Sequence, residues 1–221
     1  NFYECLIELS PTIKNHFNYA HMLQSLNDFE KAKSLYEEAL QAIRELPETY
    51  KPMLANILNN LGCLLSDINE LKQARAYYKE ARVIYQELAE MNPEIYKPEL
   101  ASTLNNLGNL LYHTNELKHA RAYYEEARLI FQEVAEKNPE AYKPNLASTL
   151  NNLGNLLYHT NELKQARAYY EDARLIRQEL AEKNPEAYKP NHAMTLNNLG
   201  CLLSDTNELK HARAYYEKAR L

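Results

Sequence analysis

The twelve-residue pattern Lys-Pro-x-x-Ala-x-x-Leu-Asn-Asn-Leu-Gly recurs every 46 residues, starting at Lys51, Lys97, Lys143 and Lys189. A fixed period of this length is built by stacking one supersecondary unit on the next, so it predicts a solenoid rather than a single enzyme core. Blocks 97–142 and 143–188 differ at only five positions: Glu99/Asn145, His119/Gln165, Glu126/Asp172, Phe131/Arg177 and Val134/Leu180. Residues 11–50 form a shorter, divergent unit, in which Asn27-Asp28-Phe29-Glu30-Lys31-Ala32 aligns with Asn69-Glu70-Leu71-Lys72-Gln73-Ala74. The sequence therefore divides into a helix tail at 1–10, repeats at 11–50, 51–96, 97–142 and 143–188, and a truncated repeat at 189–221.

Both ends fall inside a repeat, which reads as a window from a longer protein in which further domains are expected. Only four glycines, no tryptophan and abundant helix-forming residues suit long helices. The net charge of −5 comes from interleaved acids and bases, which argues against a nucleic-acid partner. No apolar run approaches the roughly 20 residues that span a bilayer, so no membrane segment is expected. Cys5, Cys63 and Cys201 are scattered, without a Cys-x-x-Cys pair, as expected of reduced thiols in a cytoplasmic protein.

In the block 97–142, Leu104, Leu107, Gly108 and Leu111 fall at i, i+3, i+4 and i+7, one face of a helix. That helix is predicted to start near Pro98 and to close near Thr114-Asn115, where Asn can adopt the left-handed conformation. Gly108, with no side chain, is expected to let a neighbouring helix approach its backbone closely. A second helix of about 22 residues (~33 Å at 1.5 Å per residue) follows from about Glu116, with Leu117, Ala120, Tyr124 and Ala127 on its buried stripe. It should end at Asn138-Pro139, leaving a Pro-flanked loop from Pro139 to Pro144. Second helices are then longer than first ones from the second repeat onward. Phe131 and Arg177, which occupy equivalent positions, are predicted to be at least partly exposed, since burying an unpaired Arg costs several kcal/mol.

Leu107-Gly108, the apolar residue at 111, Ala120, Tyr124 and Ala127 resemble the tetratricopeptide pattern, whose usual period is 34 residues. The Thr-Leu-Asn-Asn-Leu segment and the lengthened second helix are most similar to the long repeats of kinesin light chains and of many bacterial members, which implies a bacterial source. The absent Trp and the late Pro139 depart from the pattern. The resemblance implies an all-α, right-handed α-solenoid of antiparallel helix pairs, with first helices lining a concave groove that binds a peptide.

Positions opposite the Leu stripe should face that groove. They are Asn59 in the second repeat; Ser102, Asn105, Asn109, Tyr112 and His113 in the third; Ser148, Asn151, Asn155, Tyr158 and His159 in the fourth; and Asn197 in the last. Blocks 97–129 and 189–221 differ at seven positions, and four of them (Ser102/Met194, Asn109/Cys201, Tyr112/Ser204, His113/Asp205) are groove positions. Asn59, Asn105, Asn151 and Asn197 form an expected ladder, each amide offering a donor and an acceptor to an extended backbone. Asn60, Asn106, Asn152 and Asn198 should lie nearer the helix interface. Tyr112 and Tyr158 are expected to flank an apolar side chain of the ligand.

His113 and His159 lack a third ligand for a metal, no Gly-rich phosphate loop exists, and no Cys–His pair converges. No cofactor and no catalytic residue are therefore expected. Two readings follow: a non-catalytic interaction module for a protein or peptide ligand, or the sensor array of a larger signalling ATPase or caspase-like protease.

Overall fold

The computed structural model describes residues 12–220, and the expected helix tail at 1–10 lies outside them. Among the described residues the chain is helical, with no strand. Its α-helices are α1 (Ile13–Ser25), α2 (Phe29–Arg44), α3 (Lys51–Asp67), α4 (Leu71–Met91), α5 (Pro93–His113), α6 (Leu117–Lys137), α7 (Pro139–His159), α8 (Leu163–Lys183), α9 (Pro185–Asp205) and α10 (Leu209–Ala219). The chain divides into two compact units, 1–110 and 111–221. In the first, α1, α2, α3 and α4 pack in succession; in the second, α6 to α10 do the same. Short turns join the members of each pair and make them antiparallel.

One device closes every first helix. Asn27, Asn69, Asn115, Asn161 and Asn207 have φ between 61° and 64°, the left-handed region. After α7, Glu162 N–H donates to Leu157 O (2.8 Å) and Asn161 N–H to Tyr158 O (3.0 Å), the paired bonds of a Schellman cap. Thr160 Oγ1 adds a bond to Leu157 O (3.2 Å). The expected closure at Thr114-Asn115 follows this pattern, with Glu116 donating to Leu111 O. Asn161→Ala is expected to cost about 1–2 kcal/mol, the left-handed penalty for a residue with a Cβ, whereas Asn161→Gly stays near wild type. Urea midpoints of the two variants check this; equal losses would contradict it.

The buried stripes follow the expected periodicity. In α7, Leu150, Leu153 and Leu157 are buried, and Ala166, Tyr170 and Ala173 of α8 meet them. The neighbouring helix approaches the equivalent glycines closely, through a side chain. A Cβ on Gly154 would lie 2.5 Å from a ring carbon of Tyr170, and one on Gly62 or Gly200 would strike Tyr78 or Tyr216 similarly. Glycine makes room for an aromatic ring, not for backbone.

Second helices α4, α6 and α8 run 21 residues, ending at Met91, Lys137 and Lys183, as the late prolines predict. The first helices differ from expectation. The segment Pro139–Pro144 is not a loop: α7 begins at Pro139, Asn138 Oδ1 caps Ala141 N–H (3.3 Å), and Pro144 lies inside the helix. The added turn is fastened to α8 by Lys143–Glu179 and Lys183–Glu140 ion pairs, each 2.5 Å. Consequently α5 and α7, at 21 residues, equal α6 and α8 in length. From the second repeat onward, α3, at 17 residues, is the one described first helix shorter than its partner (α4), because Pro47 directs the preceding chain into a 3-10 turn at Glu48–Tyr50.

The exposure expected for Phe131 and Arg177 is also corrected. Phe131 is 1% and Arg177 4% exposed, and no carboxylate contacts the guanidinium. Neutral oxygens receive it instead. Arg177 Nη1 donates to Asn191 O (2.9 Å) and Thr195 Oγ1 (2.6 Å), and Nη2 to Ser148 Oγ (3.5 Å). Burial pushes its pKa down to about 10, so it stays charged at neutral pH. Sequence comparison alone assumed that a Phe/Arg exchange needs solvent; polar groups on α7 and α9 supply the alternative.

Candidate functional site: the first-helix face

The stripe opposite the buried leucines is described within each unit. In the unit 111–221 it comprises the end of α5 (Tyr112, His113), α7 (Ser148, Asn151, Asn155, Tyr158, His159) and α9 (Met194, Asn197, Cys201, Ser204, Asp205). His113, His159, Asn197, Cys201, Ser204 and Asp205 are exposed, and Met194 is 44% exposed. Tyr112 and Tyr158 are half-buried.

The expected Asn ladder is largely a device for holding helices together. Asn151 is 2% exposed, and its Oδ1 accepts from Asn198 Nδ2 (3.1 Å) and Thr195 Oγ1 (3.3 Å) of α9. Direct contact between Asn151 and a ligand is therefore corrected to a bond with the neighbouring helix. Asn155 Oδ1 accepts from the same Asn198 amide (3.1 Å) and from Tyr170 Oη (2.8 Å). In the unit 1–110, Asn106 Nδ2 donates to Asn59 Oδ1 (3.3 Å) and approaches Cys63 Sγ (3.4 Å). Asn106 and Asn198, the second Asn of their Asn-Asn pairs, thus sit at the helix interface, as their position predicts. Asn60 departs because Phe17 stands where its partner would be, and it turns back to Asn56 Oδ1 (2.7 Å). Asn105 and Asn109 are half-buried.

Both serines are directed inward. Ser102 Oγ donates to Pro98 O and Ser148 Oγ to Pro144 O, each at 3.0 Å, one turn back along the helix. Their hydroxyl protons are committed to backbone.

The last turns carry a second set of links. Tyr112 Oη lies 3.5 Å from His159 Nδ1, with ring centroids 5.8 Å apart at 86°, and His113 packs edge-on against Tyr112 at 5.6 Å. Tyr158 Oη donates to Asp205 Oδ2, which, with burial second, pushes the phenol up to about 12. Gln24 Nε2 reaches Asp67 Oδ2 (3.1 Å) in the other unit. The Tyr/Ser and His/Asp differences between repeats therefore change both surface and pairing. Tyr112 and Tyr158 do not flank an open slot, since each is engaged by the next first helix.

In the unit 1–110 an open cavity of about 700 Å³ lies between α1 and α3, lined by Phe17, Asn18, His21, Met22, Ser25, Asn56 and Asn60. Among the described residues, no group of three His, Cys, Asp or Glu side chains could hold a metal ion. No described helix is long and apolar enough to cross a membrane.

A tetratricopeptide-repeat family model matches residues 11–87 and 99–179, and a second tetratricopeptide-repeat model matches 192–220. No curated protein matches the sequence. Among solved structures, BtubC (BKLC) from P. vanneervenii is similar, with 26% identity, TM-score 0.79, and coverage of 99% of this chain and 84% of that one. A kinesin light chain from Podosopora anserina with nearly identical repeats aligns at 12% identity, TM-score 0.72, covering 94% and 93%. The Rap conjugation gene regulator of plasmid pLS20, in complex with the Phr* peptide, aligns at 20% identity and TM-score 0.67. This chain is covered over 94%, and spans about half (52%) of that regulator.

Proposed function

The chain belongs to the tetratricopeptide-repeat family over most of its length, and on that premise we propose that it is an interaction scaffold whose first-helix face binds an extended peptide. One observation carries the reading. In the unit 111–221, exposed His159, Met194 and Asn197 stand on helices locked from behind by the Asn151–Asn198–Asn155–Tyr170 network. A rigid support lets surface side chains bind without first being ordered, which lowers the entropic cost of association. A structural neighbour that carries a peptide, the Rap regulator, supports the same reading.

The geometry redistributes the roles expected from sequence. In this reading His159 and Asn197 meet the ligand, while Asn151 and Ser148 shape the support. The one carboxylate on this stripe, Asp205, already accepts from Tyr158, so affinity should respond weakly to salt. Peptides selected from a displayed random library should bind the 221-residue chain and weaken about fivefold or more on His159→Ala with Asn197→Ala, equivalent to ~1 kcal/mol. Lys164→Ala, at an exposed position of α8, should leave binding unchanged. Selected peptides that respond to Lys164 and ignore His159 and Asn197 would overturn the proposal.

A further inference from the structure

A cleft recurs between successive repeats on the side of the second helices. In the unit 111–221 one such cleft, of about 320 Å³, lies among α6, α7 and α8 and includes Arg128, Gln132, Leu146, Leu150, Tyr169 and Asp172. The next, of about 360 Å³ among α8, α9 and α10, places Arg174, Gln178, His192, Leu196, Tyr215 and Lys218 at the same six positions, with Lys189 and Glu182 also on its lining, the latter accepting from Gln178 Nε2 (3.1 Å). In the unit 1–110 a cleft of about 250 Å³ lies against Leu40, Arg44 and Tyr77. The depression is a property of the repeat; its lining changes from one copy to the next.

The changes at the α8–α9–α10 cleft run in one direction. Lys218 replaces Asp172, His192 replaces Leu146, and behind the wall Arg177 replaces Phe131, a swing of three formal charges with histidine neutral. When blocks 97–129 and 189–221 are compared, three differences fall off the first-helix stripe: Glu99/Asn191, Leu100/His192 and Glu126/Lys218. All three belong to this locus, because Asn191 supplies the carbonyl that receives Arg177. Drift would scatter such differences. Here they converge, and each removes an acid or adds a basic group.

The protein leaves part of this lining unsatisfied. Among the described residues, His192 Nε2 is enclosed without a hydrogen-bond partner, and Lys218 lies over the Tyr215 ring at 5.9 Å without an ion pair. Arg174 keeps Glu171 (2.7 Å) and Gln178 (3.0 Å), as Arg128 keeps Glu125 and Gln132 one repeat earlier. Arg177, behind the wall, has only neutral acceptors. Leu196 is buried and Tyr215 half-buried, giving the cleft an apolar floor.

We propose that the α8–α9–α10 cleft is a binding site for a small organic anion, its apolar body on Leu196 and Tyr215 and its carboxylate or phosphate toward Lys218, His192 and Arg174. Its volume lies in the range of small-molecule sites. The site is on other residues than the peptide-binding face, so either proposal can fail alone.

The test titrates phenyl phosphate, phenylacetate and neutral phenylacetamide into the 221-residue chain, followed by NMR signals of His192 and Tyr215. Saturable shifts with one or both anions and none with phenylacetamide are expected; the better anion identifies the headgroup. His192→Leu with Lys218→Asp, which restores the side chains of the preceding cleft, should weaken binding about tenfold. The reciprocal pair, Leu146→His with Asp172→Lys, should add a second site at Leu150 and Tyr169. Each replacement occurs naturally at the equivalent position, and a thermal melt confirms that each variant folds. No saturable shift with either anion, or equal affinity in the His192/Lys218 variant, would overturn the assignment.

Discussion

Gly154→Ala lowers the stability of the chain by about 1–3 kcal/mol, the usual cost of forcing an extra group into a packed core. On an exposed helix the same change would gain about 0.5–1 kcal/mol, because glycine is a poor helix former. The sign is reversed by Tyr170. A Cβ at position 154 meets its ring carbons at 2.5 and 2.6 Å. That ring cannot swing aside cheaply, since it is 2% exposed and its hydroxyl is held by Asn155 at 2.8 Å. Urea unfolding of Gly154→Ala, Tyr170→Leu and the double variant separates the effects. Alanine should be far less costly once Tyr170 is leucine. An undiminished loss in the double variant would place the strain elsewhere.

The neighbouring repeats make the same point about what a sequence displays. Leu/Gly/Ala/Tyr periodicity fixes which residues are inside, and the late prolines fix where second helices end, because both act through local backbone and one-face burial. The αL asparagine at each turn was legible for the same reason. The helical start at Pro139 was not. A proline usually marks a boundary, but here Pro139 opens the helix while Pro144 is carried within it, braced by Lys143–Glu179 and Lys183–Glu140, which join residues 36 and 43 positions apart. No local rule reports such a brace.

The candidate site was legible as a stripe and illegible as a set of bonds. Helical spacing placed His113, His159 and Asn197 on an exposed face. It could not show that Asn151 would be consumed by Asn198 and Thr195, because that depends on the approach of α9 to α7. An Asn has the same donors and acceptors whether it faces a ligand or the next helix. The 47-residue spacing of Tyr112–His159, Tyr158–Asp205 and Asn151–Asn198 was a usable signal: one repeat period plus one residue. Pairing at that offset explains part of the variation between repeats without any ligand.

Arg177→Phe should stabilise the chain by about 1 kcal/mol or more, up to the few kcal/mol seen when buried charges are exchanged for apolar groups of similar size. The preceding repeat supplies the precedent, since Phe131 occupies the equivalent position and is fully buried. Removing a partner while keeping the cation should do the opposite. Thr195→Val deletes an acceptor 2.6 Å from the guanidinium and should cost about 1.5–3 kcal/mol, the range for bonds to charged groups. In the Arg177→Phe background the valine should cost much less, because no buried charge is then left short of an acceptor. The pH dependence carries a definite sign. Arg177 has its folded pKa depressed to about 10, below the ordinary arginine value, so its burial is a penalty at full strength below pH 10. That penalty is relieved only as pH rises above 10 toward the ordinary arginine value, and the gap between wild type and Arg177→Phe should narrow over that window. Urea midpoints of the two single variants and the double, at neutral pH and above pH 10, measure these effects. If Arg177→Phe were as destabilising as Thr195→Val, the polar contacts would outweigh the lost hydration. A stabilising Arg177→Phe would mean instead that this repeat keeps a cation at a net cost to folding, which selection for stability alone would remove, and the cleft beside His192 and Lys218 is where a use for it lies.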